Sequence, residues 1–186
     1  VRGKIPFHLF QFQERTLTQF DENRYNIVLK SRQTGISTLV AGFSLWKMLF
    51  NSDFNILIIA TKQEVAKNLV TKVRYMNDNL PSWLKQTAIE DNKLSLRYSN
   101  GSQIKATSAA GDAGRSEALS LLVFDEAAFI DKIEDIWVSA QSTLSTGGSA
   151  VILSTPNGVG NFFHKTWVGA EEEENGFNTI RLHWSV

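Results

Sequence analysis

Leu122-Val123-Phe124-Asp125-Glu126 is an apolar run that ends in two adjacent carboxylates. A buried strand with Asp-Glu at its tip has what metal-assisted nucleotide hydrolysis requires. Asp125 would hold the Mg²⁺ shell, and Glu126 would orient and polarise the attacking water. Alone, such a pair fits a solvated strand end equally well. About 90 residues earlier, further than one βα unit reaches, stands Lys30-Ser31-Arg32-Gln33-Thr34-Gly35-Ile36-Ser37-Thr38. A phosphate loop reads G-x-x-x-x-G-K-[ST] between a strand and a helix. Gly35 and Ser37 match its second glycine and its hydroxyl, whereas Lys30 replaces the first glycine and Ile36 the lysine. The anion site itself is made of backbone N–H groups and a helix N-terminus, which Gly35 and the helix after it still supply. What is missing is a side-chain cation for the β and γ oxygens. Lys30 and Arg32 are placed to curl back over them, or else are ordinary loop charges.

These residues need strands that end in loops and helices that begin there. Apolar periodicity predicts helices over 6–22, 37–50, 62–79, 133–144 and 161–170. Short apolar runs predict strands over 25–29, 55–60, 119–124 and 150–154, and alternation predicts another over 177–184. Segments 94–98 and 103–106 flank Ser99-Asn100-Gly101-Ser102, where Asn-Gly is a strong hairpin signal. Alternating strands and helices favour a largely parallel sheet covered on both faces. Strand, loop and helix surround the phosphate loop in the required order. Glu171-Glu172-Glu173-Glu174 is the one charge run, expected as a solvated helix end or turn.

The 186 residues allow one domain with a sizeable core, and 42% hydrophobic with 20% charged residues fits a globular chain. Nothing approaches the roughly 18 apolar residues of a membrane span, so no membrane partner is expected. Val1-Arg2-Gly3-Lys4 has no apolar segment behind it and predicts no signal peptide. Zero cysteines exclude disulfides and thiolate metal sites, and His8, His164 and His183 have no ligand spacing. Nineteen basic and nineteen acidic residues cancel, which argues against a surface that grips nucleic acid all round and leaves room for a local contact face.

With further segments added, the chain resembles the ATPase domain of large terminase subunits, the DNA-packaging motors of tailed phages and herpesviruses, over residues 7–186. Phe12-Gln13-Glu14-Arg15 looks like that family's adenine-recognising glutamine segment. Ser31-Arg32-Gln33-Thr34-Gly35-Ile36-Ser37-Thr38 is similar to its deviant phosphate loop. Residues 122–130 match its Asp-Glu strand and following apolar turn, and Ser154-Thr155-Pro156-Asn157-Gly158 looks like its coupling motif. Phe162, Phe163 and Trp167 fall where the family has aromatics. Ile36 departs from members that carry lysine after the second glycine. Other members put the lysine at the loop's start, as Lys30 would be.

The resemblance implies an α/β P-loop NTPase of the additional-strand catalytic-glutamate type, with a mainly parallel sheet and helices on both faces. It implies ATP and Mg²⁺, with Gln13 reading the adenine edge and residues 30–38 holding the phosphates. Ser37 and Asp125 would hold the metal, with Thr38 as the alternative hydroxyl, and Glu126 would be the catalytic base. Ser154 and Thr155 would sense the γ-phosphate and couple it to motion. A trigger arginine is also needed, either Arg32 within the chain or Arg115, placed to reach a neighbouring subunit. The implied partners are double-stranded DNA, a portal protein, a small terminase subunit and further copies in a ring, in the host cell cytoplasm. The residues are expected to form a single domain, a fragment without the C-terminal nuclease domain of family members. A nucleotide-binding module without turnover and a helicase-like translocase are the alternatives. Ile36 favours the first, and neutral net charge disfavours the second.

Overall fold

A computed structural model describes residues 5–109, 118–144 and 147–185. Eight strands form one sheet in the order β3-β4-β5-β2-β6-β7-β1-β8. β1 (Tyr25–Lys30), β2 (Asn55–Ala60), β5 (Gln103–Ser108), β6 (Leu121–Asp125), β7 (Ser149–Ser154) and β8 (Asn178–Leu182) run parallel. β4 (Ser95–Tyr98) is antiparallel to β5, and β3 (Ala88–Asp91) antiparallel to β4. The Asn-Gly hairpin forms as expected, with Leu96 opposite Ile104 and Gly101 at φ +86, a left-handed conformation that glycine adopts without strain. β7 lies between β1 and β6, so one strand separates the strand before the Lys30–Thr38 loop from the Asp-Glu strand.

Alternation along the parallel strands divides the core. Val28, Ile56, Ile58, Val123, Val151 and Leu153 face α1 (Gln11–Glu22), α2 (Ile36–Phe50) and α3 (Gln63–Asp78). Ile27, Leu57, Ile59, Leu122, Phe124 and Ile152 face α4 (Ile133–Leu144) and α5 (Phe162–Glu171). Strands covered on both faces read as continuous apolar runs, and for that reason NILIIA and LLVF stood out in the sequence. Phe162, Phe163 and Trp167 are buried in the second cluster.

Three expectations are corrected. The first helix starts at Gln11, not at residue 6, because Phe10 is extended and its N–H donates to Gln13 Oε1 at 3.1 Å, closing the helix start there. β3 was not foreseen, since all four of its side chains are exposed and leave no apolar signature. The last strand ends at Leu182, and Trp184 beyond it is exposed. Glu171 to Glu174 are exposed at the end of α5, as expected. Among the described residues no helix is long and apolar enough to cross a membrane.

Candidate active site

Parallel order brings the C-terminal ends of β1, β6 and β7 side by side. β1 ends on Lys30, β6 on Asp125 and β7 on Ser154, so the loop and the two carboxylates meet without further design. Such an edge is where open parallel sheets take ligands.

Lys30 is 8% exposed, and its Nζ donates to Glu126 Oε1 at 2.5 Å. The other carboxylate oxygen, Oε2, accepts from Thr155 N at 3.1 Å, Thr155 Oγ1 at 3.1 Å and Ser154 Oγ at 3.4 Å. Burial pushes the Glu126 carboxyl up, but the Lys30 and Thr155 bonds outweigh it and hold the group below its ordinary range. Glu126 sits at φ +56, a left-handed conformation costly for a residue with a Cβ, as found where a site over-determines the backbone.

Asp125 is 5% exposed, and Ser37 Oγ lies 3.5 Å from its Oδ2. Its other oxygen, Oδ1, is buried and has no hydrogen-bond partner among the described residues. Burial raises the Asp125 carboxyl, and Lys30 and Lys72 offset that only in part. An orphaned carboxylate oxygen beside a helix-start hydroxyl fits a hard divalent cation with oxygen ligands.

The loop between β1 and α2 closes over a cavity of about 210 Å³ lined by Lys30, Ser31, residues 33–38 and Lys72. Gly35 takes φ +74 at the helix start. Gln33 and Gly35 are exposed, while Ser31, Thr34, Ser37 and Thr38 are half-buried along the same wall. Ile36 differs from the rest: its side chain is 1% exposed and packed in the α1–α3 core, so only its backbone can face an anion. Gln13 is 2% exposed, and its Nε2 donates to Thr34 O at 3.0 Å, tying α1 to the loop. Gln11 is exposed.

A second cavity, about 480 Å³, is lined by Arg32, Thr61, Lys62, Glu126, Phe129 and Thr155. Arg32 therefore shares a wall with Glu126. Arg115 lies outside the described residues.

Beyond Glu126 a hydrogen-bonded path leads away from the site. Ser154 Oγ accepts from Ala128 N at 3.1 Å, and Asn157 Nδ2 donates to Ala128 O at 2.9 Å. Asn161 Nδ2 donates to Asn157 O at 2.7 Å, and Asn161 Oδ1 accepts from His164 N at 2.9 Å, capping α5.

The N-terminal family model of the T4-like-virus type of terminase large subunit matches residues 27–184. This chain belongs to the large terminase family. Among solved structures, the ATPase domain of the Thermus phage P74-26 large terminase superposes with TM-score 0.75 at 20% identity, covering 95% of this chain and 81% of that one. The HK97 bacteriophage large terminase gives 0.74 at 19% identity over 95% of this chain and 40% of its own. The large terminase of a thermophilic bacteriophage in complex with ATP-gamma-S gives 0.70 at 13% identity, over 92% and 44%. This terminase chain therefore has the fold of phage terminase ATPase domains, and it spans less than half of the two longer terminases.

Residues that sequence reasoning missed in this terminase domain are Thr61, Lys62 and Lys72. Lys72, on α3, donates to Thr38 Oγ1 at 3.0 Å. On a helix that also carries Lys67 and Arg74, it looks like one more solvated charge, and no local pattern distinguishes it.

Proposed function

We propose that this terminase domain binds and hydrolyses ATP with Mg²⁺. The supporting observation is the meeting of the loop after β1 with the carboxylates ending β6, through Ser37–Asp125 and Lys30–Glu126. Ser37 and Asp125 would hold the metal, which when bound neutralises charge on the β and γ oxygens. The loop's backbone N–H groups and the start of α2 hold the polyphosphate. Gln13 keeps one amide N–H and one carbonyl lone pair for an adenine edge beside its bonds to Thr34 and Phe10. Lys30 releases Glu126 as phosphate arrives, and the freed carboxylate orients the attacking water. Thr155 keeps that carboxylate aimed. Arg32, sharing the cavity with Glu126, meets the charge developing on the γ-phosphoryl, with Arg115 of a neighbouring copy as the other source.

In the protein to which this domain belongs, the same chemistry drives double-stranded DNA into a procapsid. The partners of that process are a portal protein, a small terminase subunit and further copies in a ring. The path from Glu126 through Ser154 and Asn157 to α5 is the natural route for the coupling. Residues 1–186 serve as a single ATPase domain.

Steady-state hydrolysis of Mg-ATP by wild type and Glu126→Gln, with ATP binding titrated in parallel, tests the reading. Wild type should turn over, while the Gln variant binds and does not. Equal binding with no hydrolysis by either would favour a binding module without turnover, a reading that the tight Lys30–Glu126 pair also accommodates.

A further inference from the structure

Ile36 stands where a phosphate loop carries its lysine, and its side chain is committed to the core. Lys30 is spent on Glu126 at 2.5 Å. Yet the cavity under the loop contains a second ammonium, that of Lys72, delivered from α3 and 34 residues from its contact in the chain. Helical side chains lean toward the N-terminus of their helix, and α3 packs against α2, which brings Nζ of Lys72 to within 3.0 Å of Thr38 Oγ1 in the first turn of α2.

An ammonium carries three donors and no acceptor. Among the described residues Lys72 has one hydrogen bond, to a neutral hydroxyl, and no carboxylate within ion-pair distance. The half-buried helical lysines that serve structure elsewhere in this fold have acids: Lys67 meets Glu64 and Lys47 meets Asp21. A half-buried cation with no carboxylate in ion-pair contact among the described residues, on the wall of a cavity lined by the loop residues 33–38 and by Lys30, is the complement of an anion. The field of Lys72 already reaches Asp125, whose carboxyl it lowers against the effect of burial.

We infer that Lys72 is a phosphate-binding residue of this site, supplying from outside the loop the cation that Ile36 cannot. The inference rests on the nucleotide-binding reading above and adds a residue to it. Lys72 exchanges its bond to Thr38 for a polyphosphate oxygen.

The experiment is equilibrium titration of wild type, Lys72→Met and Lys72→Arg with ATP in the presence of a chelator, together with competition by inorganic tripolyphosphate and a thermal melt of each free protein. Lys72→Met should weaken ATP and tripolyphosphate about 10-fold or more, the worth of one charge-assisted bond. Lys72→Arg should stay within about 3-fold of wild type, and all three should melt together, because Lys72 pairs only with a hydroxyl. If wild type and Lys72→Met bind ATP alike, Lys72 is not a phosphate residue while the nucleotide site stands. If both the Met and Arg variants lose binding and melt early, Lys72 is only a clamp between α2 and α3. A wild type that binds neither ATP nor tripolyphosphate overturns this inference and the reading beneath it together.

Discussion

Lys30 Nζ and Glu126 Oε1 are 2.5 Å apart, so the cation at the start of the phosphate loop and the carboxylate at the tip of the Asp-Glu strand neutralise one another across two strands that are not adjacent. Lys30→Ala should leave a half-buried carboxylate without its main partner. Stability should fall by about 1–3 kcal/mol, and hydrolysis by about 100-fold or more. The Lys30 bond holds the Glu126 carboxyl below its ordinary range, so its contribution to stability is present above the usual glutamate value and lost as pH falls through the folded one. Without Lys30 the carboxyl moves up. The acid limb of the pH–rate profile of residual activity should shift to higher pH, and an unmoved limb would show that the pair does not tune Glu126.

Asp125 has the opposite sign. Burial raises its carboxyl, so whatever stability the protonated group gives is full below the ordinary aspartate range and lost as pH rises through the folded value. Above that value the free protein carries a buried charge, one oxygen of which has no hydrogen-bond partner among the described residues. Asp125→Asn should stabilise it by about 1 kcal/mol, raising the melting midpoint by about 2–4 °C. It should also abolish Mg²⁺-dependent hydrolysis. Melts at neutral and acidic pH check the sign, since the gain should vanish at low pH.

Restoring the missing loop lysine should fail. Ile36 is 1% exposed within the core formed with α1 and α3. Ile36→Lys forces an ammonium into that core and should cost about 2–4 kcal/mol without raising ATP affinity. Urea unfolding and ATP titration of the same preparation decide it.

Gln13→Ala removes the tie to Thr34 O along with the amide proposed to read adenine. Loss of the tie should weaken ATP and GTP alike, and loss of the amide should weaken ATP further, by about 5-fold or more. An equal loss for both nucleotides would make Gln13 a tether for the loop and nothing else.

Thr155→Val keeps the shape of the side chain and removes one of three donors to Glu126 Oε2. Turnover should drop by about 10-fold with little change in KM if the lost interaction is with Glu126 alone. A rise in KM alone would place Thr155 against the substrate.

Local patterns carried most of the fold and the pair of motifs. Buried strands such as NILIIA announce themselves, and Asp125-Glu126 and Gly35 keep their spacing to strand ends. What stayed hidden depends on distant partners. The side chain after a helix-start glycine faces either the anion or the core, and only the packing of α2 on the sheet sends Ile36 to the core. Lys72 acquires meaning through Thr38, a tertiary contact. Gln13 was identifiable as an amide near the site, but its bond to the loop was not. β3 is held by backbone pairing with β4, to which its exposed side chains give no clue.

The divided core has a further consequence. Gln13, Thr38 and Lys72 all belong to the α1–α3 layer, whereas among the described residues α4 and α5 meet the site from the other face, through Trp137 against Phe124, the turn at Ala127–Phe129 and the segment that follows β7. The two layers are thus joined near the site along one seam among the described residues, Trp137 against Phe124 and Asn157 against Ala128. An engineer wishing to graft a new partner onto this domain and keep its fuel chemistry would remodel that layer and leave the seam alone.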